Sequence, residues 1–189
     1  MSAPRPAEAG RPPRGSRKAA KPHFLESDKV YNVLFVCSHN SARSIMAEGL
    51  LNSMGGGRFK AFSAGSQPAG TVNPFALKTL TTLSIPTDGL RSKDWSEFAK
   101  PGAPELDFVF TVCDNAAGEV CPVWPGLPMT AHWGVADPAA FHGTDEQKAK
   151  VFRDTAVILK RRLDLMLALP LRSLDKMAIQ REIKGIGTH

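Results

Sequence analysis

Residues 30–37 are largely apolar and run straight into a polar loop and then a helical pattern, a combination that strongly limits how this chain can fold. A short apolar run of this kind indicates a strand buried on both faces. Apolar spacing predicts further strands and helices, the strands over residues 59–64, 108–113 and 130–133 and the helices over 44–54, 73–83 and 144–167. Strands that alternate with helices predict an α/β fold, a flavodoxin-like open parallel sheet of about four strands with helices on both faces.

The charge of the chain is concentrated at its start. The formal net charge is +6, and residues 1–23 hold six basic side chains, one acidic side chain and five prolines, a net of +5. The rest of the chain therefore carries +1, which argues against a fold built to bind nucleic acid. We predict a disordered, basic, Pro-rich tail over residues 1–28, a catalytic domain over 29–169 and a partly helical C-terminal extension over 170–189. No segment is apolar over enough residues to span a membrane.

Cys37 and Arg43 enclose five residues between the first predicted strand and the first predicted helix. Such a loop can curl so that its N–H groups face one centre, where the helix amino terminus adds positive charge. The Arg43 guanidinium offers a planar fork to two anion oxygens. The sequence therefore predicts an oxyanion site whose nucleophile, Cys37, is a thiolate at neutral pH. The residues that would surround the anion are Ser38, His39, Asn40, Ser41, Ala42, Arg43 and Ser44.

Two more cysteines follow the third predicted strand, and an acid follows the fourth. Cys113 and Cys121 enclose seven residues, and Asp137 comes shortly after residues 130–133. Because the carboxyl ends of parallel strands meet at one edge of a sheet, we expect these groups to lie near Cys37. Two extra thiols favour electron transfer over plain hydrolysis. A zinc site that includes His132 and a pair of inert core thiols are the alternatives.

These motifs resemble those of the low-molecular-weight tyrosine phosphatase superfamily and, within it, the thioredoxin-linked arsenate reductases. The resemblance spans about residues 30–167 and rests on four segments in the family's order, which read VCSHNSARSIMAE (36–48), FSAG (62–65), VNP (72–74) and HWGVADP (132–138). It implies that Cys37 attacks arsenate while Asp137, as general acid, protonates the leaving oxygen. It also implies that Cys113 and then Cys121 carry the resulting disulfide outward by thiol–disulfide exchange.

The resemblance further implies what surrounds and serves the site. Asn40, Ser44, Glu48 and Ser63 would support the loop. Lys93 stands where some members have the acid of a potassium site, so we expect no potassium requirement and no bound metal or cofactor. Reducing equivalents would come from thioredoxin or from glutathione and glutaredoxin, because better-known thioredoxin-linked members place one residue fewer between the relay cysteines. The substrate would be arsenate, with phosphate or sulfate as analogues, and the chain would be a cytoplasmic monomer without nucleic-acid or membrane partners.

Two other functions stay open at the level of sequence. A low-molecular-weight protein tyrosine or small-molecule phosphatase would need only Cys37, Arg43 and Asp137. Against it, Ala139 and Ala140 lie where such phosphatases usually carry aromatic residues that line the substrate cleft. A non-catalytic oxyanion-binding or redox-sensing protein is the other alternative, and it leaves the complete set of reactive residues unexplained.

Overall fold

The computed structural model describes residues 29–118 and 122–189. The predicted tail over residues 1–28 and the predicted relay residue Cys121 therefore lie outside the described residues. Within those two ranges, no helix combines the length and the apolar character that crossing a membrane requires.

Four parallel strands form the sheet: β1 (Tyr31–Cys37), β2 (Phe59–Gly65), β3 (Phe108–Thr111) and β4 (Met129–His132). Their order is β2-β1-β3-β4, so β1 has a neighbour on each side. The register pairs Cys37 with Gly65 of β2 and Val36 with Thr111 of β3. The apolar residues of β1 are buried, as expected for a strand in the middle of a parallel sheet. The predicted open parallel α/β sheet is confirmed.

The described residues form five α-helices: α1 (Arg43–Met54), α2 (Pro74–Thr82), α3 (Asp114–Ala117), α4 (Asp145–Leu167) and α5 (Lys176–Ile186). Local chemistry fixes where the longer ones begin. Asn73 caps α2 ahead of Pro74, and Thr144 and Gln147 form a capping box on α4. The short α3 and the 3₁₀ turns Trp95–Phe98 and Pro138–Ala140 were not predicted, because so few residues carry no measurable periodicity.

Strand β3 ends two residues earlier than the sequence predicts. The Val112 N–H still donates to the Val36 carbonyl at 2.9 Å, but the chain then leaves the sheet at Cys113. The Cys113 sulfur accepts the N–H of Ser38 at 3.2 Å and the N–H of Ala116 at 3.4 Å. The backbone turns into α3 around this thiol, and the predicted strand end becomes part of the candidate site.

An aromatic cluster packs between β3 and the residue that follows β4. Trp133, just after β4, stacks on Phe110 with 3.9 Å between ring centroids, and its indole N–H donates to the Ile183 carbonyl at 2.8 Å. Helix α5 thereby packs against β4. The parallel order brings the carboxyl ends of β1, β3 and β4 to one edge, where Cys37, Cys113 and the segment that leads to Asp137 lie together.

Candidate active site

The loop between β1 and α1, residues 38–42, turns its carbonyl groups away from its own centre. The carbonyl oxygens of Ser38, His39 and Ser41 accept hydrogen bonds of 2.8–2.9 Å from N–H groups in the segment that joins β2 to α2. In a trans peptide the following N–H points the opposite way, so the N–H groups of residues 39, 40 and 42 face the centre of the loop. The backbone N–H of His39 accordingly lowers the pKa of Cys37. Inward N–H groups of this kind form an anion-binding nest.

Asn40 and Gly65 fix the shape of this loop. The φ of Asn40 is 45°, in the left-handed region that Asn tolerates better than most residues. Its side-chain amide donates to Ser44 Oγ at 2.8 Å, and its Oδ1 accepts the backbone N–H of Lys93 at 2.9 Å. Gly65 lies beneath the loop, where a Cβ would be 2.5 Å from the Ser38 carbonyl oxygen. Only glycine allows the end of β2 to approach so closely.

Arg43 begins α1 and reaches across to the segment that follows β4. Its Nη1 donates to the Val135 carbonyl at 3.0 Å, and its Nη2 lies 3.7 Å from Oδ2 of Asp137. The buried Nε of Arg43 has no hydrogen-bond partner among the described residues. Because buried donors are nearly always paired in folded proteins, this N–H is available to an anion held by the loop.

Asp137 is held at the mouth of the site. Its Oδ1 accepts the Ala139 N–H at 3.0 Å and caps the turn Pro138–Ala140, while 37% of its side chain is exposed. A small cleft of about 60 Å³ connects it with Cys37 and Arg43. The other lining residues of this cleft are His39, Ser41, Ala42 and Ala139.

Cys37 and Cys113 are both buried and reduced, and each thiol shifts the pKa of the other. The hydrogen bond with Cys37 lowers the pKa of the Cys113 thiol to about 5, and the Ser38 hydroxyl and the N–H groups of Ala116 and Ser38 add to that effect. The same hydrogen bond and burial raise the pKa of Cys37, against the opposing charge of Arg43. Ionisation of one thiol therefore favours the protonated form of the other.

Cys37 and Cys113 titrate as a pair, so the assignment of the thiolate to Cys37 stays a prediction. The backbone N–H of His39 and the charge of Arg43 lower the pKa of Cys37. Hydrogen-bond donors from Ser38 and Ala116 lower the pKa of Cys113. Groups that favour a charged form lower its pKa, so both sulfur atoms have neighbours that stabilise a thiolate. Transfer of a single proton between the two sulfurs would exchange thiol and thiolate.

A buried ion pair lies beside the loop. The Lys93 Nζ donates to the Arg91 carbonyl at 2.8 Å and to Ser63 Oγ at 3.4 Å, and it lies 3.8 Å from Glu48 Oε1. Burial lowers the pKa of Lys93 and raises the pKa of Glu48, and in each case the partner's charge opposes the shift. Through its backbone N–H, Lys93 is also bonded to Asn40, so the predicted supporting residues form one connected cluster.

His132 lies beside the site but contacts other partners. One ring nitrogen bonds Thr111 Oγ1 and the other bonds Asp114 Oδ1, each at 2.8 Å. Both nitrogens are thus engaged away from the cysteines, which does not favour the alternative of a zinc site. Within residues 29–118 and 122–189, no cluster of three His, Cys, Asp or Glu side chains is arranged to hold a metal ion.

Several groups of the site were not predicted from the sequence. The Ser38 N–H, which bonds Cys113, and the Val135 carbonyl, which bonds Arg43, are backbone groups without a residue signature. Gly65 could have been suspected from the close approach that a glycine after an apolar strand permits. Cys37, Arg43, Cys113 and Asp137 are brought together, whereas the position of Cys121 is outside the described residues.

Residues 32–181 match the family model described as low molecular weight phosphotyrosine protein phosphatase, and the chain belongs to this family. Within it, the chain is similar to proteins named arsenate reductases. The arsenate reductase of Halalkalibacterium halodurans is 39% identical over 121 residues, which are 64% of this chain and 84% of that protein. The glutaredoxin arsenate reductase of Synechocystis sp. is 29% identical over 136 residues, 72% of this chain and 95% of that protein. A solved structure of an arsenate reductase in the phosphate binding state is 27% identical with a TM-score of 0.57, and the match covers 74% of this chain and 98% of that one.

Proposed function

We propose that this protein reduces arsenate to arsenite, with Cys37 as nucleophile and Cys113 and Cys121 as a disulfide relay. The observation that carries the proposal is the position of Cys113 at the anion-binding loop, where the N–H of Ser38, the residue next to Cys37, donates to the Cys113 sulfur at 3.2 Å. A phosphatase needs one thiol at such a loop, whereas a reductase needs a second thiol in contact with the first. The pairing of two buried, reduced cysteines therefore favours oxidation–reduction over ester hydrolysis.

In the first step, the Cys37 thiolate attacks arsenic while Cys113 is the protonated member of the pair. The loop N–H groups and the Arg43 guanidinium bind the arsenate oxygens and stabilise the charge that builds up on them. A sulfur–arsenic bond forms as an arsenic–oxygen bond breaks, and Asp137 supplies the proton with which the oxygen leaves as water. The 3.7 Å between Asp137 Oδ2 and Arg43 Nη2 places the carboxyl beside the bound anion.

In the second step, Cys113 passes its proton to an oxygen of the arsenic group, and the resulting Cys113 thiolate attacks the Cys37 sulfur. A disulfide forms between these residues, and the electron pair of the sulfur–arsenic bond leaves with arsenic, which departs as arsenite. The low pKa of Cys113, about 5, suits it to this attack at neutral pH. Cys121 then attacks Cys113, which releases Cys37 and leaves a Cys113–Cys121 disulfide for an external dithiol to reduce.

The reductant is thioredoxin, or glutathione with glutaredoxin. The similarity to a protein named glutaredoxin arsenate reductase supports glutaredoxin as one of these two candidates. A reducing cytoplasm suits a relay that must return to free thiols after each cycle. No potassium is required, because the Lys93 ammonium supplies positive charge beside Glu48 and Ser63. The similarity to a solved arsenate reductase in the phosphate binding state supports tetrahedral oxyanions as ligands of the loop.

A side phosphatase activity is the second candidate, because Cys37, Arg43 and Asp137 also suffice to cleave a phosphate ester. The lining of the cleft favours a small substrate. Among the described residues no Phe, Tyr or Trp lines it, and Ala139 lies at its edge. A phosphotyrosine ring would find little aromatic surface to pack against there.

The test is arsenate-dependent oxidation of NADPH, coupled through thioredoxin and its reductase or through glutaredoxin, glutathione and its reductase. Hydrolysis of p-nitrophenyl phosphate is measured on the same preparation. Sustained NADPH oxidation with one of the two systems, lost in both Cys37→Ser and Cys113→Ser, is the expected result. Ester hydrolysis that survives Cys113→Ser, together with no NADPH oxidation by either system, would instead assign the protein as a phosphatase.

A further inference from the structure

Arg162 is an arginine in the middle of α4 that is buried, with only 6% of its surface exposed. Its hydrogen-bond acceptors are main-chain oxygens: Nη1 donates to Trp133 at 2.7 Å and to Gly134 at 3.0 Å, and Nε donates to His189 at 3.0 Å. Burying a guanidinium is costly, and burial accordingly lowers the pKa of Arg162. An apolar residue would fill this position of α4 at lower cost, so the contacts themselves require an explanation.

The two carbonyl groups that share Nη1 are consecutive in the chain. In an extended strand, successive carbonyl groups point in opposite directions, so their convergence on one nitrogen marks a bend at Gly134. The backbone nevertheless remains bonded to the neighbouring strand on either side of the bend. The Trp133 N–H donates to Thr111 at 2.7 Å, and the Val135 N–H donates to Val112 at 3.1 Å.

This bend leads directly to the acid of the site. The next carbonyl, that of Val135, accepts Arg43 Nη1 at 3.0 Å, and Asp137 follows two residues later. Three consecutive carbonyl groups are thus held by two arginines, Arg162 from α4 behind the segment and Arg43 from the anion loop. Both arginines therefore bind the short segment that ends at Asp137.

We infer that Arg162 is a positioning residue, which holds the bend after β4 so that Asp137 lies where it can protonate the leaving oxygen. The inference rests on the proposed function, because it gives Asp137 the role of general acid. A displacement of about 1 Å in a reacting group can slow a reaction by about a hundredfold. Loss of Arg162 should therefore slow the chemical step while leaving the N–H groups of the anion loop in place.

The test is a double-mutant cycle on the full chain. Single-turnover release of arsenite at saturating arsenate is measured for Arg162→Met, Asp137→Asn and the double variant, and sulfate affinity is measured by calorimetry. Arg162→Lys keeps one donor for the carbonyl groups and should recover part of the rate. Arg161→Met, which alters an exposed arginine of the same helix, is the matched control and should behave as wild type.

Arg162→Met should lower the rate by roughly tenfold to a hundredfold, with sulfate affinity changed by less than about threefold. In the Asp137→Asn background it should lower the rate by less than about threefold, because the group that it positions is already gone. Independent losses that multiply in the double variant, or an unchanged rate in Arg162→Met, would overturn the inference. If Arg162→Met does not fold, the same cycle with Arg162→Lys distinguishes non-additive from multiplying losses.

A wild-type protein that releases no arsenite would refute the proposed function and not this inference. The cycle would then be run on hydrolysis of phenyl phosphate, whose poor leaving group requires the acid. The same non-additivity between Arg162→Met and Asp137→Asn is expected there, and multiplying losses would again overturn the positioning role.

Discussion

Removing the thiol of Cys37 should raise the pKa of Cys113. The hydrogen bond with Cys37 is the largest cause of the low Cys113 value, which is about 5 against an ordinary 9.0 for a cysteine thiol. A hydrogen bond to a charged group contributes about 1.5–3 kcal/mol, and each pH unit corresponds to about 1.4 kcal/mol. Cys37→Ala should therefore raise the pKa of Cys113 by about one to two pH units. The donors from Ser38 and Ala116 would hold the rest of the shift.

The assay is titration of thiolate absorbance in the ultraviolet, performed in a Cys121→Ser background so that only two thiols contribute. The parent should show one thiolate down to about pH 5 and a second thiol that stays protonated well into the alkaline range. The companion variant Cys113→Ala should lower the pKa of Cys37, because the neighbouring thiolate is removed while Arg43 remains. An unchanged Cys113 titration in Cys37→Ala, or a rise in the Cys37 value in Cys113→Ala, would refute the account of the pair.

Three further predictions concern the residues around the pair. Asp137→Asn should slow single-turnover arsenite release about a hundredfold or more while sulfate affinity, measured by calorimetry, changes little; an equal loss of affinity would remove the role of acid. Gly65→Ala should destabilise the fold by about 1–3 kcal/mol in urea unfolding and weaken sulfate binding, because its Cβ would contact a loop carbonyl. Gly185→Ala, where nothing lies within 4 Å of the added carbon, should be neutral or slightly stabilising, and an equal effect at both sites would contradict this reasoning. Lys93→Met should lower the free energy of unfolding by about 3–5 kcal/mol, because Glu48 loses its buried partner. Adding Glu48→Gln should recover part of the lost stability, and a double variant less stable than Lys93→Met would contradict the pairing.

The arrangement around β1 was predictable because sequence and local structure agree there. A largely apolar strand and the polar loop that joins it to a helix at Arg43 each have a clear local signature. The topological rule for parallel sheets then brings residues that follow β1, β3 and β4 to one edge. That combination was sufficient to expect Cys37, Cys113 and Asp137 at one place without knowledge of any tertiary contact.

The electrostatics of the pair were not predictable in the same way. Ser38 and Cys113 are 75 positions apart, and the donation from one to the other exists only because β1 and β3 are neighbours. The early end of β3 and the short α3 follow from that contact. Arg162 did carry a signal, since it lies three residues after the buried Leu159 and four before the buried Met166, on the apolar face of α4. A charged residue on a buried face indicates a specific acceptor, but its identity requires the fold.

The most direct test of the central claim is a single turnover of the Cys121→Ser variant with arsenate. Released arsenite is quantified, and the protein is then alkylated, digested and analysed by mass spectrometry. We predict one arsenite per protein chain and an equal amount of Cys37–Cys113 disulfide, with neither product formed in Cys113→Ser. Arsenite release without that disulfide, or release that continues for many turnovers when Cys121 is absent, would contradict the relay.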